Sequence, residues 1–213
     1  MNGLALKLDF EHKISQLGIF KNDQLFGNGL EITPNGTFGG QYKNSNKQGY
    51  GIFGKSKNQF FVGKFLLNQK VDFGIWHLDN GDKFEGNFDQ NIFNGLGRYI
   101  HTKKSSSYIG EFLLGKRSGF GKFDSPASIY IGNWLDNKKE GTGYYVNVGK
   151  STYFGGFRND KKEGIGIEKL QDFEYKGGFS NGLKEGFGFV TKGDKHEICE
   201  FRKGEFKSLI TLS

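Results

Sequence analysis

The chain has 213 residues, a formal net charge of +7, 35 glycines and only two prolines; it lacks the three-residue glycine period of collagen, and its 16% aromatic content exceeds what flexible low-complexity segments carry. Cys199 is the single cysteine, so no disulfide closes within the chain and no CxxC pair serves zinc or thiol redox chemistry. The run MNGLALKLDF lacks the basic flank and unbroken apolar core of a signal peptide, and an intracellular protein is expected.

In chain order, the alternating Leu4, Leu6, Leu8 and Phe10 predict an edge strand within an N-terminal cap, residues 1–15. A degenerate repeat starts near Gln16, with Gly18, Phe20 and the pair Gly27/Gly29. From there an aromatic, a glycine two residues on and a second aromatic two further on recur at Phe38/Gly40/Tyr42, Phe61/Gly63/Phe65, Phe84/Gly86/Phe88, Tyr108/Gly110/Phe112, Tyr130/Gly132/Trp134, Tyr153/Gly155/Phe157 and Tyr175/Gly177/Phe179. Successive starts lie 22 to 24 residues apart, a period that marks a repeat architecture. Each triplet is followed by a GxG pair, as at Gly164/Gly166 and Gly186/Gly188; one copy departs, with Asp72 beside Gly74. The array is expected over 16–196. A last copy erodes to Glu197, Cys199 and Phe201, and residues 197–213, with Leu209, Ile210 and Leu212, are expected to close the end, because the outermost repeats of an array lack a covering neighbour.

Residues two apart on a strand share a face, so Tyr175, Gly177 and Phe179 point one way. The turn Asn181–Gly182 supplies the positive φ of a tight hairpin. Each repeat is therefore one hairpin, and Gly177, Gly186 and Gly188 are expected to form a floor on which Tyr175 and Phe179 lie. The fold class is all-β: an elongated, twisted, single-sheet solenoid of antiparallel hairpins.

The pattern YxGxF followed by GxG at this period resembles the MORN repeat family (membrane occupation and recognition nexus), over nearly the whole chain from about Gln16 to about Phe206. Phe stands where Tyr is usual at positions 38, 61 and 84. The resemblance implies the same meander of antiparallel hairpins.

No catalytic constellation emerges. His12, His77, His101 and His196 match no zinc spacing, Ser105, Ser106 and Ser107 form no nucleophile elbow, and the GxG pairs lack the third glycine and following helix of a nucleotide loop. Glu163 and Glu185, beside lysines, read as a solvated ladder. No enzyme activity, metal, cofactor, nucleic acid or small-molecule substrate is expected.

Two surfaces are candidate partner sites. One is a groove of rings, Tyr108, Phe112, Tyr130, Trp134, Tyr153, Phe157, Tyr175 and Phe179, with further apolar positions such as Phe73, Phe120, Ile165, Phe187 and Phe189 on the other face. The second is a basic edge, Lys116/Arg117, Lys138/Lys139, Lys161/Lys162 and Lys184, placed by its repeat position to meet anionic phosphoinositide lipid or an acidic partner. The resemblance implies a non-catalytic scaffold within a multi-subunit cytoskeletal assembly of a cilium or flagellum, possible self-association included; the alternative is a peripheral membrane adaptor.

Overall fold

The computed structural model describes residues 1–210. Leu212, expected to help close the C-terminal end, lies outside them. Every described element is a β-strand, and the chain divides into two compact units. The first, residues 1–104 with 112–115, holds β1 (Gly3–Asp9), β2 (Ile14–Lys21), β3 (Gln24–Thr33), β4 (Gly36–Lys43), β5 (Asn46–Gly54), β6 (Phe60–Leu66), β7 (Gln69–His77), β8 (Lys83–Asp89) and β9 (Ile92–His101). The second begins at Ser105, excludes 112–115, and holds most of β10 (Ser106–Leu113), then β11 (Lys116–Asp124), β12 (Ser128–Leu135), β13 (Lys138–Asn147), β14 (Ser151–Arg158), β15 (Lys161–Leu170), β16 (Phe173–Ser180), β17 (Leu183–Lys192), β18 (Lys195–Arg202) and β19 (Glu205–Ile210). Within each unit every strand pairs antiparallel with the next, so the expected all-β solenoid of hairpins is what the sequence builds.

The hairpin turns have two residues each, both in the left-handed region: φ is 49° at Asn159 and 68° at Asp160, 51° at Asn181 and 89° at Gly182. Such turns match the right-handed twist of the strands they join, which fixes the register of each hairpin. Turns on the opposite edge vary in length, from residues 34–35 to 55–59.

That register aligns the glycines. In the first unit Gly18, Gly29, Gly40, Gly51, Gly63, Gly74, Gly86 and Gly97 lie directly opposite one another on successive strands. In the second, Gly121, Gly132, Gly143, Gly155, Gly166, Gly177 and Gly188 do the same, and Cys199 takes the next place. The leading rings cover this row. A Cβ added to Gly166 would stand 2.5 Å from the Tyr153 ring, and one added to Gly97 would stand 2.5 Å from that of Phe84. In the degenerate first copy, which has no leading aromatic, the buried Leu25 side chain lies over Gly18 and Gly29 instead.

One expectation about the floor is corrected. Gly177 and Gly188 carry the Tyr175 ring, but Gly186 does not: its φ of 75° swings the Cβ position into open space, with nothing within 4 Å. The first glycine of the GxG pair is thus a bulge residue, which also accounts for Asp72, the copy that departs: at φ 54° it adopts the same left-handed conformation.

Candidate interaction surfaces

The leading and following rings pack edge to face in a herringbone. Tyr153 meets Phe157 at 5.2 Å and 89°, and Phe179 of the next repeat at 5.0 Å and 81°. The four tyrosines add a polar anchor: Tyr108, Tyr130, Tyr153 and Tyr175 each donate a hydroxyl hydrogen bond, of 2.9 to 3.1 Å, to the carbonyl three residues on. For Tyr130, Tyr153 and Tyr175 that acceptor belongs to Asn133, Gly156 or Gly178, the residue at which the hairpin register shifts. Burial pushes the Tyr153 hydroxyl up to about 12 and raises that of Tyr175.

This packing closes the groove that the sequence suggested. Tyr108, Phe112, Tyr130, Trp134, Tyr153, Phe157, Tyr175 and Phe179 are all 5% exposed or less. These residues therefore form the core and present no open ring groove.

The basic edge also divides. Lys116, Lys138 and Lys161, the first residue of each pair, are exposed and reach the next turn, at Asp136 (3.2 Å), Asn159 (3.2 Å) and Asn181 (3.4 Å). The second residues fold inward as lids over the rings: Arg117 over Trp134 at 4.2 Å, Lys139 over Tyr145 at 4.6 Å, Lys162 over Tyr153 at 4.8 Å and Lys184 over Phe173 at 4.4 Å. Lys47 and Lys70 do the same in the first unit. There Leu25 and Phe93 hold the equivalent repeat position, and Phe93 stacks on Phe84 at 3.8 Å. A lysine stem lying on apolar surface with its ammonium on a ring face gains both burial and cation–π attraction.

Carboxylates complete some of these lids. Glu31 pairs with Lys47 at 3.0 Å, and Glu168 pairs with both Lys162 and Lys184, the latter at 3.3 Å. Burial raises the Glu168 carboxyl, but the hydrogen bond and charge of Lys162, with those of Lys184, outweigh it and hold the group below its ordinary value. Glu163 and Glu185, expected to be a solvated ladder, have a structural role that Glu140 shares: Glu140, Glu163 and Glu185 accept the backbone amides of Asn159, Asn181 and Lys203, the first turn residue of the following repeat.

The face opposite the rings stays open. In the second unit Phe120, Phe154, Ile165, Phe187 and Phe189 are each more than half exposed. The register sets Ile131, Tyr144, Phe154 and Ile167 side by side on consecutive strands, forming one apolar row. In the first unit Leu6, Leu17 and Leu30 form a similar row, continued past Gly39 by Ile52, Val62 and Ile75. Beside Gly39, where the row lacks a side chain, Tyr50, Phe73 and these apolar residues wall a depression of about 460 Å³. Among the described residues no cluster of three or more His, Cys, Asp or Glu side chains is arranged to hold a metal.

A single-layer repeat sheet with a completed core on one face and apolar rows on the other is an interaction module. Comparison with known proteins fits that class. The MORN repeat model matches residues 18–38, 40–58, 84–105, 108–127, 130–148, 153–172 and 175–196. These cover more than half of the chain, which belongs to the MORN repeat family. Residues 59–83 fall outside the match, yet β6 and β7 form the same hairpin there, with Phe61 over Gly63 and Gly74. The chain is 29% identical to alsin of Homo sapiens and of Rattus norvegicus over 132 residues, 56% of this chain and 8% of alsin. It is 35% identical to MORN repeat-containing protein 3 of Xenopus laevis over 71 residues, 30% of each chain. It thus matches only a minor part of each of these relatives.

Proposed function

We propose that the chain is a non-catalytic protein-interaction scaffold whose partner covers the apolar back face. One observation carries this: the repeat rings are buried as the core, while Phe120, Phe154, Ile165, Phe187 and Phe189 remain more than half exposed on the other side. Exposed apolar rows of this kind mark surfaces that bind. The assembly we propose is intracellular and cytoskeletal, in a cilium or flagellum; its support is the resemblance of the repeat array to small axonemal members of the family. A membrane-adaptor role has weaker support, because the basic edge is half turned onto the rings.

Co-sedimentation of the purified chain with a demembranated cytoskeletal fraction tests the reading. Wild type is expected in the pellet, and Phe154→Ser/Phe187→Ser in the supernatant with an unchanged circular dichroism spectrum. Equal pelleting of folded variant and wild type overturns the back face as the contact. Capture of wild type by phosphoinositide vesicles but not by the cytoskeletal fraction overturns the scaffold in favour of the membrane.

A further inference from the structure

The lids of the second unit differ in one respect. Lys162 and Lys184 share the Glu168 carboxylate, whereas among the described residues no carboxylate lies within ion-pair distance of the Arg117 or Lys139 side chain. Both cations are half-buried over rings: Arg117 against Trp134, Tyr108 and Phe123, and Lys139 against Tyr145, Tyr130 and Phe157. Nearby acids are engaged elsewhere. The Glu111 carboxylate accepts the Phe120 amide, Glu140 accepts that of Asn159, and Asp160 accepts the backbone amide of Lys139 itself. The Arg117 guanidinium donates to the Asn137 carbonyl at 2.8 Å, which supplies no opposite charge. Position by position, Tyr145 stands where Glu168 stands one repeat later: each lies two residues beyond the second glycine of its GxG pair.

Buried or half-buried charges are ordinarily paired, since desolvation otherwise goes uncompensated. Burial lowers the proton affinity of both Arg117 and Lys139, and the field of Asp160 opposes that only in part. The molecule itself shows what completes such a lid: a carboxylate placed over the ring layer, as Glu168 is for Lys162.

We propose that Arg117 and Lys139 form a docking site for the carboxylates of an acidic partner segment. The inference rests on the scaffold reading, in that a protein is the occupant, but it uses the opposite face. The two cations sit one repeat apart, two strand spacings or about 10 Å, which a segment in the polyproline II conformation, at about 3.1 Å and a third of a turn per residue, covers in three residues with both end side chains on one face. The fitting sequence therefore carries Glu or Asp at positions i and i+3, both turned to the sheet, with the backbone between them passing over Phe123 and Tyr145. A carboxylate segment is favoured over a lipid headgroup because the paired lids in this same sheet are completed by carboxylates, and because these cations are recessed onto the rings while the exposed Lys116 and Lys138 are turned to Asp136 and Asn159 of the next turns.

The test is fluorescence anisotropy of a dye-labelled, end-capped peptide containing Glu-Ser-Ser-Glu, titrated with the full chain. Saturable binding is expected, lost in the Gln-Ser-Ser-Gln peptide and weakened by about tenfold or more in Arg117→Gln/Lys139→Gln. The projecting-lysine variant Lys116→Gln/Lys138→Gln should change affinity by less than about twofold. Arg117→Lys/Lys139→Arg, which keeps the charges, should still bind; it serves as the reference should the glutamine variant not fold. The proposal is overturned if the two glutamine variants weaken binding equally, if wild type binds neither peptide, or if vesicles containing a phosphoinositide are held through Arg117 and Lys139 while the peptide is ignored. Phe154→Ser/Phe187→Ser separates the two readings: it should leave peptide binding intact while abolishing co-sedimentation.

Discussion

Gly164 and Gly166 stand two residues apart and resist alanine for different reasons. At Gly166 the added Cβ meets the Tyr153 ring at 2.5 Å, so overpacking by about 1–3 kcal/mol is expected. At Gly164 there is open space but φ is 72°, and the left-handed backbone costs an alanine about 1–2 kcal/mol. Asparagine separates the causes, because it tolerates that conformation but is larger. Urea denaturation should find Gly164→Asn milder than Gly164→Ala, and Gly166→Asn more damaging than Gly166→Ala. Tyr42 offers the opposite case. Its hydroxyl is buried with no hydrogen-bond partner among the described residues, so Tyr42→Phe is expected to raise stability by about 1 kcal/mol in the same assay. The glycine–ring relation was legible in the sequence because both partners recur in step. The bulge was not, since a plain alternation of faces assigns Gly186 to the floor and only the backbone twist removes it.

Among the elements, β15 and β17 are linked through charge over the buried rings: Glu168 on β15 bonds Lys162 on its own strand and Lys184 two strands away. The folded protein holds Glu168 below its ordinary 4.5. A carboxyl depressed on folding stabilises above its unfolded pKa and loses that contribution as pH falls through the folded value. The wild-type unfolding midpoint should therefore drop as pH is lowered from about 5, and Glu168→Gln should flatten that drop while lowering stability at pH 7. Thermal melts across this range check both. The hairpins, and the two-residue turns that set them, were readable from Asn, Asp and Gly at each turn. The inward fold of the second basic residue was hidden, because Lys138 and Lys139 are alike in composition and differ only in which side of the pleat they occupy. Glu140, Glu163 and Glu185 were hidden for a related reason: the amides they accept lie one repeat onward, 18 or 19 residues away.

For the molecule as a whole, repetition makes each unit a sum of nearest-neighbour contacts. Deleting residues 153–174 removes one complete period of the second unit and leaves Phe179 where Phe157 had been. The shortened chain is expected to keep its β circular dichroism and to unfold cooperatively with a smaller denaturant dependence, since less surface is buried. Deleting 161–172, about half a period, reverses the direction of every later strand and should abolish the transition. Urea titrations of both chains distinguish these outcomes. The eroded ends were legible as departures from the pattern, with Cys199 in the place of a glycine at the last, but what fills the first was not: Leu25 lies on its glycine row.

The two kinds of turn also divide the margins of each unit between constancy and change. On one margin the second turn residue binds the preceding repeat, as Asp160 binds Lys139 and Gly182 binds Lys162 through backbone amides donating to carbonyls at 3.1 and 2.9 Å. A residue gained or lost there would throw every later copy out of step. The opposite margin accepts two residues at 34–35 and five at 55–59 without disturbing the pairing on either side. Insertions are therefore tolerated along that margin alone, and it is there that a duplicated or lengthened gene could add a new recognition loop while the measured repeat beneath it is kept.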